Sequence, residues 1–127
     1  MKKHIALALG LHHQIEQAKA CLCRMMEPTL NGVDSIPLVR DIIYDVFPKP
    51  DNRNIFIMAC ILLYSPRVML GGKSEVGLVS AIADALNTSG NSISHIKSTV
   101  MGRYEVEKRF AESVDYACAF VKSKLVG

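Results

Sequence analysis

The stretch Asp51-Asn52-Arg53-Asn54-Ile55-Phe56-Ile57-Met58-Ala59-Cys60-Ile61-Leu62-Leu63-Tyr64 decides the fold. Every residue from Ile55 to Leu63 is apolar, so the element they form is covered on most sides. A short apolar run fits a buried helix or a buried strand equally well by period. A strand needs a partner, and no other segment alternates apolar and polar residues as a hairpin partner would. The run is therefore read as a helix capped by Asp51 and ending near Tyr64, and the chain as a single all-α domain of about six helices.

The flanking segments support that class. On the N-terminal side, Ser35 is the expected N-cap of a helix with Pro37 in its first turn, and Leu38, Val39, Ile42, Ile43, Val46 and Phe47 form its apolar stripe, ended by Pro48 and Pro50. Before it, Glu27-Pro28 and Asn31-Gly32 break the chain after a long amphipathic helix over 3–26. On the C-terminal side, Ser65-Pro66 and Gly71-Gly72 bound a loop. Ser74 is the expected cap of a fourth helix with Val76, Leu78, Ile82, Ala85 and Leu86 facing inward. A turn at Thr88–Asn91 leads to a helix using Ile93, Ile96 and Val100, punctuated by Gly102. A last helix from about Tyr104 to Leu125 carries the stripe Val106, Phe110, Val114, Ala117, Val121 and Leu125.

Composition sets the limits. The chain has 127 residues, 50% hydrophobic and 21% charged, which excludes wholesale disorder and suits one packed domain over 1–127. The N-terminal helices occupy 1–50, and the remaining elements 51–127. The start, Met1-Lys2-Lys3 followed by an apolar run, imitates a signal peptide, but apolar residues continue at helical spacing beyond it. No apolar run approaches the roughly 18 residues that a membrane-spanning helix needs. Cys60 and Cys118 lie in apolar runs and read as core residues. Cys21 and Cys23 stand too close on one helix for an easy disulfide. A reducing, cytoplasmic location follows as the expectation.

The segment 77–99 reads as helix, tight turn, helix, and it resembles the helix-turn-helix of phage-type repressors. Ala83 stands where the first helix needs a small residue, Leu86 closes that helix, Asn87 occupies the turn position usually held by glycine, and Ile93 and Ile96 anchor the second helix. Asparagine tolerates the left-handed conformation that such a turn demands. A wider likeness over 54–110 is to the DNA-binding domain of the bacterial chromosomal replication initiator. That family carries an Arg-Asp-His run at the start of its recognition helix, where this chain has Gly90-Asn91-Ser92. The resemblance implies a bacterial DNA-binding regulator of transcription or replication without the initiator's site preference.

Double-stranded DNA is therefore the expected partner. The residues expected at the interface are Lys73, Ser89, Asn91, Ser92, Ser94, His95, Lys97 and Arg103. Asn91, Ser94 and His95 would meet base edges, while Lys73, Lys97 and Arg103 would neutralise phosphates. The net charge of +3 is uneven along the chain. Residues 1–48 and 105–127 each balance. The surplus falls in 49–104, where Lys49, Arg53, Arg67, Lys73, Lys97 and Arg103 outnumber Asp51, Glu75 and Asp84. One module of this kind binds weakly, so a homodimer through the C-terminal helix is expected. The alternative is a non-enzymatic helical module that binds a protein.

Other chemistry is not indicated. Gly71-Gly72-Lys73-Ser74 imitates the end of a phosphate-binding loop, but the pattern needs glycine where Arg67 stands. His12, His13, Cys21 and Cys23 fit no zinc spacing, and adjacent Ser94 and His95 point to different sides of a helix. No catalytic residue, metal or cofactor is assigned, and the chain is not expected to be an enzyme.

Overall fold

The computed structural model describes residues 14, 15, 27–72, 74 and 77–126. Of the expected helix over 3–26, only Gln14 and Ile15 fall among them, and both are helical; the rest lies outside the described residues. From residue 27 onward the described residues form five α-helices and one 3-10 helix, and there is no strand among the described residues. The helices are α1 (Ile36–Val46), α2 (Asn52–Tyr64), α3 (Leu78–Leu86), α4 (Gly90–Val106) and α5 (Lys108–Leu125), and the 3-10 helix spans Pro66–Leu70.

Helix α2 is the centre, as its uniform apolarity requires. Ile55 to Ile61, Leu63 and Tyr64 are at most 3% exposed, and only Leu62 is half-buried. A helix with no polar face must be enclosed, and α5, α1 and α4 enclose it, with α3 and the 3-10 helix adding further contacts. Phe56 meets the Tyr44 ring edge-on at 6.2 Å. At the far end, Tyr64 shares a hydrogen bond with Ser35 Oγ, and the Leu30 amide donates to the Leu63 carbonyl at 3.0 Å. Ser35 thus stands at the start of α1 but spends its hydroxyl on α2, not on capping.

Cys60 and Cys118 are free and buried. Burial pushes the Cys60 thiol well above its ordinary range. Burial and the Asp115 carboxylate push Cys118 up to about 12. Both stay neutral packing groups.

The structure departs from the sequence reading in one buried stripe and in the limits of three helices. In α1 the buried stripe is Ile36, Val39 and Ile43, whereas Leu38 is 50% and Val46 39% exposed. Neighbouring helix residues point about 100° apart, so Leu38 and Val39 cannot both face the core. Helix α3 begins at Leu78 behind Gly77, whose φ of 84° stops the helix from reaching back to Ser74; Val76 lies outside the described residues. Gly102 sits inside α4, with open space around it. The break comes at Glu107, in extended conformation, so Tyr104 belongs to α4 and Val106 is 81% exposed. In α5 the expected Phe110, Val114, Ala117 and Val121 are buried and Leu125 half-buried.

Truncating the enclosed helix should be costly and truncating the misassigned position should not. Phe56→Ala is expected to lower unfolding free energy in urea by about 3–5 kcal/mol. Val106→Ala is expected to change it by less than about 0.5 kcal/mol.

Candidate nucleic-acid interface

Helices α3 and α4 are joined by Asn87, Thr88 and Ser89. Asn87 adopts φ 55° and ψ 50°, the left-handed conformation that asparagine tolerates better than most residues. Its amide donates to the Asp84 carbonyl at 3.2 Å, and the Thr88 amide donates to the Ala83 carbonyl at 2.9 Å. This pair of bonds is a Schellman ending, which satisfies the carbonyls α3 would otherwise leave open. Ser89 then caps α4: its Oγ accepts from the Ser92 amide at 3.2 Å and shares a bond with Ser92 Oγ at 3.0 Å. The chain therefore reverses in three residues. On the inner side, Leu78, Ile82, Ala83, Ile93 and Val100 are buried, and Leu86 and Ile96 are half-buried.

Burying Ile93 and Val100 fixes what α4 presents to solvent. Asn91, Ser94, His95, Ser98 and Thr99 are all exposed, and their spacing of three and four places them on one side of the helix. All five can donate and accept hydrogen bonds, and none carries a fixed charge. Ser98 and Thr99 are additions to the sequence reading, which could have found them from their spacing to Ser94 and His95. Ser89 and Ser92 occupy their hydroxyls in the cap.

The cations are dispersed. Lys97 is half-buried and donates to Ser74 Oγ at 3.3 Å. Lys73 lies outside the described residues. Arg103 stands about 18 Å along the axis from Asn91 and is turned inward. Its Nε donates to Glu107 Oε2 at 2.9 Å, a terminal nitrogen lies 3.6 Å from an Asp51 oxygen, and the guanidinium covers the Phe110 ring at 4.1 Å. The Glu107 bond raises its affinity for its proton still further. Arg67 is on the 3-10 helix, where the Gly72 amide donates to its carbonyl at 2.8 Å. A Cβ at residue 72 would lie 2.7 Å from Arg67 Cβ, so the two glycines serve a tight chain reversal.

Lys49 and Arg53 instead flank a cleft of about 670 Å³ that opens beside Asn87. Arg40 of α1 joins them there, a residue that the sequence reading left out. Arg40 donates to the Ala85 carbonyl at 2.5 Å, and so holds the last turn of α3, and it pairs with Asp41 at 2.9 Å. Asn52 also lines the cleft. It is 6% exposed, and its side chain has no hydrogen-bond partner among the described residues. A buried amide without a partner costs about 1–3 kcal/mol.

Among the described residues, no group of three or more His, Cys, Asp or Glu side chains could hold a metal ion, and no helix is long and apolar enough to cross a membrane. No protein-family model matches the chain, and neither the curated proteins nor the solved structures contain a match.

The turn makes a specific demand on residue 87. Asn87→Gly should leave stability within about 1 kcal/mol of the parent. Asn87→Val should lower it by about 1–2 kcal/mol, because a branched side chain resists positive φ. Thermal and urea unfolding of the two variants measure both.

Proposed function

We propose that the chain binds duplex DNA through the solvent face of α4, with α3 and the turn at Asn87 as its support. The observation that carries this reading is the row Asn91, Ser94, His95, Ser98 and Thr99. Short hydrogen-bonding side chains fill the side of a 17-residue helix that the core leaves in solvent. A helix of that width fits the major groove, where asparagine pairs with adenine and serine, threonine and histidine reach base edges or phosphates. Lys97 lies at the edge of the row, and its ammonium exchanges the Ser74 hydroxyl for a phosphate by rotating its stem. Arg103, held by Asp51 and Glu107, is outside this contact set. A single module of this type binds weakly, so two copies act together.

A second reading rests on a different observation. Phe47, Tyr116 and Phe120 form a ring ladder, edge-on at 6.1 Å and then stacked at 6.3 Å, and Tyr116 is 58% exposed. Aromatic surface of this kind suits a protein contact. It supports either a helical module that binds another protein or the contact between two copies of this chain.

The salt dependence of duplex binding tests the first reading. A mixed-sequence duplex should bind at low salt and weaken steeply as salt rises. Lys97→Ala should reduce the slope of log K against log salt by about 1, and Arg103→Ala should leave it unchanged. No binding at low salt rejects DNA binding and leaves the protein-contact reading, and a Lys97→Ala slope equal to that of the parent puts the DNA contact away from the α4 row.

A further inference from the structure

We infer that the cleft between α1, the start of α2 and the Asn87 turn is a binding site for a phosphate group. This site is separate from the α4 face and does not depend on that face binding DNA.

Four observations converge on it. First, Lys49 and Arg53 are exposed on the cleft's rim, two cations that approach one opening from adjoining turns of chain. Second, the cleft reaches the N-terminus of α2, a 13-residue helix whose N-cap, Asp51, makes no side-chain bond to the first-turn amides. Those amides point outward with the positive end of the helix dipole, the arrangement that receives oxyanions. The Asp51 carboxylate, which would otherwise compete for them, lies 3.6 Å from Arg103. Third, Asn52 is 94% buried at this position with its side chain unpartnered among the described residues, so a hydrogen-bonding group is needed where the cleft meets it. Fourth, the acid in the cleft, Asp41, is already neutralised by Arg40 at 2.9 Å, and Arg40 is fixed to the Ala85 carbonyl.

A phosphate answers all of these at once. Its several oxygens can accept from helix amides, from the Asn52 amide group and from a guanidinium together, and its charge balances Lys49 and Arg53. A carboxylate offers only two oxygens, and an apolar ligand would leave Asn52 unpartnered. Tyr44 forms one wall. Burial raises its phenol above the ordinary range against the opposing pull of Arg53 and Arg40, so it stays neutral and can donate. The cleft is larger than one phosphate, which leaves room for the group the phosphate is attached to.

The test is an NMR titration of the full chain in phosphate-free buffer, with inorganic phosphate, a mononucleotide and a mixed-sequence duplex as separate arms. Inorganic phosphate should shift the Asn52, Arg53 and Asn54 amides along a saturable curve. The Lys49→Gln/Arg53→Gln double variant removes two exposed charges and should keep the parent's dispersed spectrum while weakening that binding at least tenfold. Tighter binding of the mononucleotide identifies a small phosphate ester as the source. Shifts of these same amides by duplex alone, lost in the double variant, identify the nucleic-acid backbone. Linear, unsaturated shifts with phosphate, or equal binding by the double variant, overturn the proposal whatever the duplex does at α4. Duplex binding at α4 can fail while phosphate still saturates the cleft.

Discussion

The enclosure of α2 constrains everything else in the molecule. A helix apolar all the way round cannot be left half in water, because each large side chain exposed forfeits about 1.5–3 kcal/mol of burial. Helices α1, α4 and α5 are therefore recruited as a wall, and each must offer one apolar stripe to α2. For α4 that stripe is Ile93 and Val100, with Ile96 at its edge. Once those residues turn inward, the helical period leaves Asn91, Ser94, His95, Ser98 and Thr99 no direction but outward. The candidate interface is in this sense the complement of the core.

Helix α4 buries little of itself, and its order comes from its ends. Ser89 caps the start, and the Schellman bonds at Asn87 and Thr88 set the approach. At the other end Arg103 bonds to Glu107, stands beside Asp51 and covers Phe110. Tyr104 donates to Asp115 at 2.6 Å, and burial with that carboxylate pushes its phenol up to about 12. These contacts join α4 to α2 and α5. They also consume charge: the Arg103 guanidinium is opposed by the carboxylates of Glu107 and Asp51. Among the described residues near the α4 row and the cleft, Lys97, Lys49 and Arg53 stay open to an external anion.

The sequence carried the central helix because the nine apolar residues from Ile55 to Leu63 leave little freedom once a strand partner is missing. It also carried the left-handed Asn87, since so few residue types accept that conformation. Boundaries were less legible where a local signal competed with a tertiary one. Gly102 looked like a stop, yet Val100 on one side and Arg103 and Tyr104 on the other hold α4 through it. Ser74 looked like a cap, yet Gly77 turns the chain first. The charge surplus in 49–104 was countable, but its dispersal was not. Asp51 and Arg103 are 52 positions apart in sequence, and nothing in either neighbourhood announces their contact. The phosphate cleft was hidden for the same reason. Lys49, Asn52 and Arg53 are local to one another, but Arg40 and Asn87 join them only when α1 and α3 pack together.

Whether α4's outer face meets duplex DNA, as proposed, is decided by hydrogen–deuterium exchange of the full chain with and without a mixed-sequence duplex at low salt. Duplex seated on that face slows exchange over residues 89–99 and leaves it unchanged over 112–120, where Tyr116 and Phe120 of the aromatic ladder lie. Unchanged exchange over 89–99 in the presence of saturating duplex, or protection confined to 112–120, would contradict it.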